Sequence, residues 1–232
     1  MLESALLLGI DTCGPTGSVA LGRLAEGVVE ILGQIELEGR SYSATLVTAV
    51  GELLARAGAQ LREIGAMVAV NGPGSFTGVR VGLSAVKGLG EDTQIPVAAL
   101  SRLEVLAWKA GVESSALDAH RGELFLRVGG PGLEARELLA GAQELGAIDP
   151  VPRRVAVCDD AAQALLKAAW PDGELVRTLA PTAADALRLC AGRVEAEEFV
   201  DLALLDGNYL RRSDAEIFGT EIFGAPPGPQ RA

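Results

Sequence analysis

Two spacings of apolar residues alternate along the first hundred positions, and each predicts one kind of element. Apolar runs, typical of buried strands, occupy residues 5–11, 18–24, 66–70 and 97–100, and residues 28–37 give a further candidate strand. Apolar residues recur at helical spacing over residues 42–57 and again over 79–90. The order β-β-β-α-β-α, with a strand to follow, predicts an α/β protein in which helices pack on a mixed sheet.

The second half carries the same signals more weakly. Strands are predicted at 117–119, 124–128 and 155–158, and an amphipathic helix at 161–169. Ser101 with Glu104, and Thr182 with Asp185, have the spacing of capping boxes, so helices are expected to begin there. The segments 129–132 and 149–152 are rich in turn residues, and the Pro/Gly-rich end after Phe223 is expected to fray.

Composition narrows the class of protein. Hydrophobic residues make up 49% and charged residues 22%, as in globular chains, and no apolar run is long enough to cross a membrane. The N-terminus has no basic segment before its first apolar run, so no signal peptide is expected. The three cysteines are scattered and have no metal-binding spacing, so reduced thiols in a cytoplasmic protein are expected. The 20 basic and 31 acidic residues give a net charge of −11, which repels nucleic-acid phosphates.

The densest local signal is the run from Asn71 to Gly82, which joins a strand to a helix. Four glycines and a proline in this run allow close backbone approach, and the helix start presents free N–H groups to an anion. The run lacks the Lys-Ser/Thr ending of a Walker A loop and does not fit G-x-G-x-x-G. A phosphate-binding loop and a close-packing loop both remain open from the residues alone.

Other residues that could carry chemistry are sparse. Asp11 and Thr12 follow the first strand, where they could approach phosphate and metal or simply cap the turn. His120 is the single histidine, so a two-histidine metal site is excluded and we expect no metal. Ser75 lies on a sharp turn, but its surroundings do not match G-x-S-x-G, so a serine hydrolase is not supported.

The first predicted helix has an unusual start, because residues 41–51 contain no charge. An outer face without charge is atypical of a solvated helix and indicates contact with another helix. Two explanations remain for the apolar stripes of this helix and of the helix from residue 79: packing on the sheet, or forming a partner interface. The predicted interface residues are Tyr42, Leu46, Val50, Leu53, Leu54, Val79, Leu83 and Val86.

The run from Asn71 through Leu89 closely resembles the signature of the bacterial TsaB (YeaZ) family. Residues 118–125 resemble the family's Asp-Ala-Arg-x-Gly-Glu-Val-Tyr segment, with His120 in place of arginine. Residues 209–216 resemble its Tyr-Leu-Arg-Arg-Pro-x-Ala-Glu segment, with Ser213 in place of proline. The resemblance covers residues 5–128 and 207–216 and is loose between them.

This resemblance implies the two-lobed, actin-like (ASKHA, ribonuclease H-like) fold, with a mixed five-stranded sheet flanked by helices and a degenerate second lobe. The implied domains are 1–102, a smaller lobe at 103–206, and a segment at 207–232 that returns to the first lobe. The nucleotide loop is expected to be vestigial, and its residues are Asp11, Thr12, Gly72, Gly74 and Ser75.

The resemblance also implies a function and partners. TsaB-like proteins support TsaD in transferring a threonylcarbamoyl group to adenosine of tRNA, and they pair with TsaD, or with themselves, through helices of the first lobe. A TsaE-like ATPase is the third expected partner. The related TsaD has a His-x-x-x-His metal pair where this chain has Arg102 and Leu106, so no catalytic residue is expected here. No cofactor is expected either, and a nucleotide is expected only at an interface shared with a partner.

Two alternative functions and the role of the tail stay open. The chain could be a stand-alone ATP-dependent phosphotransferase or ATPase of the same superfamily, or a glycoprotease-like peptidase, although no nucleophile–base pair is visible. Tyr209, Leu210 and Arg211 could pin the tail to the first lobe or to a partner, or Arg211 could be an ordinary solvated side chain.

Overall fold

The computed structural model describes residues 4–39 and 41–211. The end of the chain after Arg211, including Ser213 and the tail predicted to fray, lies outside the described residues. Among the described residues, no helix is both long and apolar enough to cross a membrane.

A first five-stranded sheet contains all the strands predicted for the first hundred residues. Its order is β3-β2-β1-β4-β5, with β1 antiparallel to β2 and parallel to β4. Two helices, α1 and α2, bury their apolar stripes against it. The elements are β1 (Ala5–Asp11), β2 (Thr16–Ala25), β3 (Val28–Glu38), α1 (Tyr42–Arg56), a 3₁₀ turn (Leu61–Glu63), β4 (Ile64–Val70), α2 (Phe76–Thr93) and β5 (Val97–Leu100).

A second five-stranded sheet follows α3, the helix that connects the two sheets. Its order is β10-β9-β6-β7-β8, with β6 antiparallel to β7 and parallel to β9. The elements are α3 (Arg102–Lys109), β6 (Ser114–Asp118), β7 (Leu124–Gly130), β8 (Leu133–Ala140), α4 (Ala142–Gly146), β9 (Arg154–Val157), α5 (Asp160–Ala169) and β10 (Glu174–Arg177).

The two sheets therefore share one topology: three antiparallel strands, then two parallel strands on the other side of the first. The α/β fold is confirmed. The expected degeneration of the second half is greatest in its helices, because α4 has 5 residues where α1 has 15, and α5 has 10 where α2 has 18. Its strands are shortened less, since β6 has 5 residues where β1 has 7, and β7 has 7 where β2 has 10. The second sheet itself is complete.

The chain then returns to the first sheet through α6 (Ala183–Leu189) and α7 (Ala191–Glu195). Leu187 of α6 packs so closely on the first sheet that a Cβ on Gly9 would lie 2.9 Å from its Cγ. Thr182 caps α6 together with Asp185, as predicted. The predicted domain division stays a prediction, but contact with the first sheet begins here, well before residue 207.

Candidate functional site

The turn after β1 uses its polar side chains to hold itself together. Asp11 is 1% exposed, and its Oδ1 accepts a hydrogen bond of 2.8 Å from the backbone N–H of Cys13. Thr12 donates from Oγ1 to the carbonyl oxygen of Gly78 over 2.7 Å. The Asp11 bond is the capping role left open by the sequence, and the Thr12 bond ties the turn to residue 78. Together they engage one carboxylate oxygen and the hydroxyl that would otherwise be available to a ligand.

Arg102 fills the space beside this turn. It begins α3, is 5% exposed, and places its Nε 3.5 Å from Oδ2 of Asp11, a charge contact longer than an ideal hydrogen bond. A Cβ built on Gly14 would lie only 2.3 Å from its Nη2. The guanidinium therefore neutralises the buried Asp11 carboxylate from within the chain.

The groups around this ion pair are neutral. Burial, with the Asp11 charge adding to it, raises the pKa of the Cys13 thiol well above its ordinary value. Burial likewise raises the pKa of Tyr42 to about 12, and the Tyr42 hydroxyl donates to the carbonyl oxygen of Gly14 over 2.7 Å. A protonated thiol with so high a pKa is a poor nucleophile at neutral pH.

The glycine-rich run packs directly onto the same turn. A Cβ on Gly74 would lie 2.2 Å from the carbonyl oxygen of Cys13, and one on Gly78 would lie 2.1 Å from that of Thr12. The backbone N–H of Ser75 donates to the Cys13 carbonyl over 2.8 Å. Close packing is therefore the explanation that the structure supports for these glycines.

Ser75 and Gly72 have local roles in the same loop. Ser75 is the N-cap of α2, and its Oγ accepts a hydrogen bond of 3.3 Å from the backbone N–H of Gly78. Gly72 has a φ of +109°, which favours glycine, and its carbonyl accepts from the Arg102 N–H over 2.6 Å. The N–H groups of Ser75 and Gly78 are thus engaged within the protein.

The corresponding turn of the second sheet contains acidic residues. By topology, the turn after β9 corresponds to the turn after β4, and it contains Asp159 and Asp160 instead of glycines. Asp159 caps α5 through a 2.7 Å bond from the Ala162 N–H and accepts from the Asp118 N–H over 3.1 Å. Two carboxylates at a helix start oppose the binding of phosphate there.

The remaining sequence candidates are separate from this site. His120 lies in the exposed β6–β7 turn with Nδ1 2.9 Å from Oδ2 of Asp118. Leu106 is fully buried on α3. Within residues 4–39 and 41–211, no three His, Cys, Asp or Glu side chains are grouped to hold a metal ion. Glu104 does not complete the predicted capping box with Ser101; its Oε1 instead accepts from Arg193 over 2.5 Å.

The predicted interface residues are wrong as surface residues, because all eight are buried. Tyr42, Leu46, Val50, Leu53, Leu54, Val79, Leu83 and Val86 belong to the core around the first sheet. Apolar residues at helical spacing turn toward the sheet because burial there removes most of their surface from water.

The opposite face of α1 is open and uncharged over its first turns. Val47 is 64% exposed, and the neighbouring exposed positions are Ala44, Thr48 and Gly51. A Cβ on Gly51 would touch nothing within 4 Å, and the same is true of Gly88 on α2. The uncharged sequence correctly indicates an open face. The residues predicted to form it, such as Leu46 and Val50, are buried, whereas the next positions, Val47 and Gly51, are exposed.

An aromatic group lies at the N-terminal end of α2. Phe76 is 39% exposed, with the Arg80 guanidinium 3.8 Å from its ring centroid and the Tyr209 ring centroid at 5.2 Å. Leu210 packs beside the buried cluster around α3, and Arg211 pairs with Glu123. The tail thus contacts both halves of the protein; its contact with a partner stays a prediction.

Comparisons with known proteins agree with this architecture. The sequence model of the TsaD family, described as tRNA N6-adenosine threonylcarbamoyltransferase, matches residues 31–130. The Escherichia coli (strain K12) tRNA threonylcarbamoyladenosine biosynthesis protein TsaB is 33% identical over 125 residues, which cover 51% of this chain and 52% of that protein. The TsaB of Bacillus subtilis (strain 168) is 32% identical over 123 residues, with the same shares.

Similarity in structure extends further along the chain. A crystal structure from Pseudomonas aeruginosa, described as an uncharacterized protein with similarity to peptidase YEAZ, superposes with a TM-score of 0.73 at 28% identity. The match covers 89% of this chain and 100% of that one. By sequence, the chain spans only about half the length of the curated relatives it matches.

Proposed function

Because the chain belongs to the TsaB (YeaZ) family of the actin-like superfamily, we propose that it is a non-catalytic subunit required for threonylcarbamoyl transfer to adenosine of tRNA. It acts by forming a heterodimer with a TsaD-type transferase and activating it. The proposal rests on one observation: the guanidinium of Arg102 fills the space beside Asp11, where a ligand would have to bind.

The packed site supports a role without chemistry of its own. A nucleotide phosphate at the Asp11 turn would have to displace a buried ion pair and a loop whose glycines touch the turn. Removing one member of a buried ion pair costs about 3–5 kcal/mol. In this proposal the chain holds no cofactor, and nucleotide is held only at an interface with a partner.

Charge supports the division of labour between the subunits. A chain with a net charge of −11 repels the tRNA backbone, so the partner supplies the basic surface that holds tRNA. A TsaE-like ATPase completes the assembly in this proposal. In the absence of TsaD, two copies of the chain pair through the same helices.

The docking surface in this proposal is the open face of α1 with the neighbouring face of α2. Val47 offers an exposed apolar side chain, and Gly51 and Gly88 leave room for the backbone of a partner helix. A glycine inside a helix costs about 0.5–1 kcal/mol relative to alanine. Contacts within the described residues do not repay that cost, which favours an external contact.

Reconstitution tests the activity. We expect threonylcarbamoyl transfer to tRNA when the purified chain is combined with the TsaD-type and TsaE-type proteins of its own organism, and none from the chain by itself. Omission of the chain should abolish transfer. Transfer by the chain without the TsaD-type protein would overturn the proposal.

A stand-alone ATPase is the competing function, and calorimetry separates the two. The competing function requires the isolated chain to bind ATP and Mg²⁺ through Asp11 and the glycine loop, whereas a scaffold with an internal Arg102–Asp11 pair should give little or no heat. A peptidase would need a nucleophile with a base, and Cys13 is a buried thiol beside a carboxylate without a histidine.

The docking surface can be tested with one charge. Val47→Glu should weaken binding to the TsaD-type protein at least about 100-fold, because a carboxylate would be desolvated in an apolar contact. Val28→Glu is the matched control, since Val28 is 69% exposed at the start of β3, and it should bind as the wild type does. Equal binding of both variants would remove α1 from the docking surface.

A further inference from the structure

The segment 206–211 runs across the boundary between the two halves of the protein and is tied to each. On the first half, the backbone N–H of Asn208 donates to the carbonyl oxygen of Asn71 over 2.7 Å. The side-chain amide of Asn71 in turn reaches the carbonyl oxygen of Asp206 over 3.4 Å. Tyr209 then packs its ring against Phe76 at the start of α2.

On the second half, the same segment is held by two carboxylates. Oε2 of Glu137 on β8 accepts a hydrogen bond of 2.6 Å from the side-chain amide of Asn208. Arg211 pairs with Glu123, the residue before β7, and reaches the carbonyl oxygen of His120 over 3.5 Å. Charged acceptors make these bonds stronger than neutral ones.

Glu137 is the point where several elements meet. Its Oε2 also accepts from Oγ of Ser101, the N-cap of α3, over 2.7 Å, and its Oε1 lies 3.1 Å from Arg127 of β7. The side chain is only 13% exposed, so its bonds are partly shielded from competing water. One carboxylate therefore joins the second sheet, the start of α3 and the segment 206–211.

We propose that residues 206–211 form a strap that fixes the second sheet against the N-terminal end of α2, with Glu137 as its anchor. The strap does with the protein's own side chains what a ligand bound between two lobes would do. It operates in the free chain, whether or not a partner is present.

Hydrogen exchange of the isolated chain, followed by mass spectrometry, tests the strap. Glu137→Ala leaves Asn208, Ser101 and Arg127 without their shared acceptor, so peptides covering 206–211 should exchange about tenfold faster than in the wild type. Peptides from β1 and β6, at the centre of each sheet, should be unchanged. Glu134→Ala is the control, an exposed carboxylate removed from the same strand.

A second variant guards against a general effect on β8. Asn208→Ala keeps the bonds from Ser101 and Arg127 to Glu137 and removes only the side-chain link to the strap. It should also speed exchange of 206–211, without changing exchange of β8. If Glu137→Ala and Asn208→Ala both exchange over 206–211 as the wild type does, or if both sheets loosen together with the segment, the strap is refuted.

Discussion

The turn that holds Asp11 and the outer face of α1 differ in how accessible they are to another molecule. The turn has the residue types of a ligand site, yet it is buried, paired with Arg102 and covered by the glycine run. The outer face of α1 has no reactive group, yet it is open and includes the 64% exposed Val47. Glycine has a different role in each region. At the Asp11 turn, glycines let neighbouring backbone approach closely, whereas a Cβ on Gly51 of the outer face of α1 would meet nothing within 4 Å.

Gly78 and Gly51 make that contrast concrete. Both lie in helices of the first half, but a Cβ on Gly78 would be 2.1 Å from a carbonyl oxygen, whereas one on Gly51 would meet nothing within 4 Å. The fold explains the first glycine and not the second. In the proposed assembly, Gly51 and the exposed Val47 lie on the face of α1 that docks on the partner.

The largest effect is expected from breaking the packed turn. Arg102→Ala leaves the buried Asp11 carboxylate without its cation, so the free energy of unfolding should fall by about 3–5 kcal/mol in urea titrations. Arg62→Ala, which removes an exposed arginine before β4, should change it by less than about 0.5 kcal/mol. Equal stability of the two variants would show that the ion pair does not hold the turn.

A smaller and opposite pair of effects is expected on the open face. Gly51→Ala should raise the free energy of unfolding by about 0.5–1 kcal/mol, because alanine favours the helix and its Cβ meets nothing. The same change should weaken binding to the TsaD-type protein about tenfold by filling space that the partner approaches.

Gly192→Ala on α7 is the control for this comparison, since a Cβ there also meets nothing within 4 Å. It should raise stability without changing partner binding, as measured by thermal unfolding and calorimetry. If Gly51→Ala binds the partner as tightly as Gly192→Ala does, the open face is not a close helix contact.

A last effect, confined to alkaline pH, concerns the Cys190 thiol in the core around the first sheet. Burial raises the pKa of Cys190 from 9.0 to about 11, so the unfolded chain loses this proton first as the pH rises. Stability from this group is therefore complete below about pH 9 and is lost as the pH rises toward about 11.

Cys190→Ala should reduce the loss of stability between pH 8.5 and 11 by about 1–2 kcal/mol, as measured by urea titrations at each pH. The pKa of Tyr42, raised to about 12 by burial, will keep some dependence above pH 10 in both proteins. An unchanged pH profile would show that the Cys190 thiol does not titrate differently on folding.

The sequence predicts an element well when its residues are mostly apolar and buried, and poorly when many of them are polar or exposed. β1 and β4 were predictable because they are nearly continuous apolar runs, and Thr182 was recognisable as a cap. β8 was missed because it is largely exposed and carries charged residues, including Glu137. β10 was missed because only two of its four residues, Leu175 and Val176, are apolar, so it lacks the continuous apolar run that marks β5.

The sequence by itself determined the α/β class, the net acidic charge, the N-caps of α3 and α6 and the family signature, because each depends on local spacing or on a sum over the chain. Only the tertiary structure decided which face of α1 is open, that Arg102 closes the Asp11 turn, and that Glu137 ties 206–211 to the second sheet. The Asn208–Glu137 and Arg102–Asp11 contacts join residues 71 and 91 positions apart, and no local pattern encodes which distant side chain meets a given carboxylate.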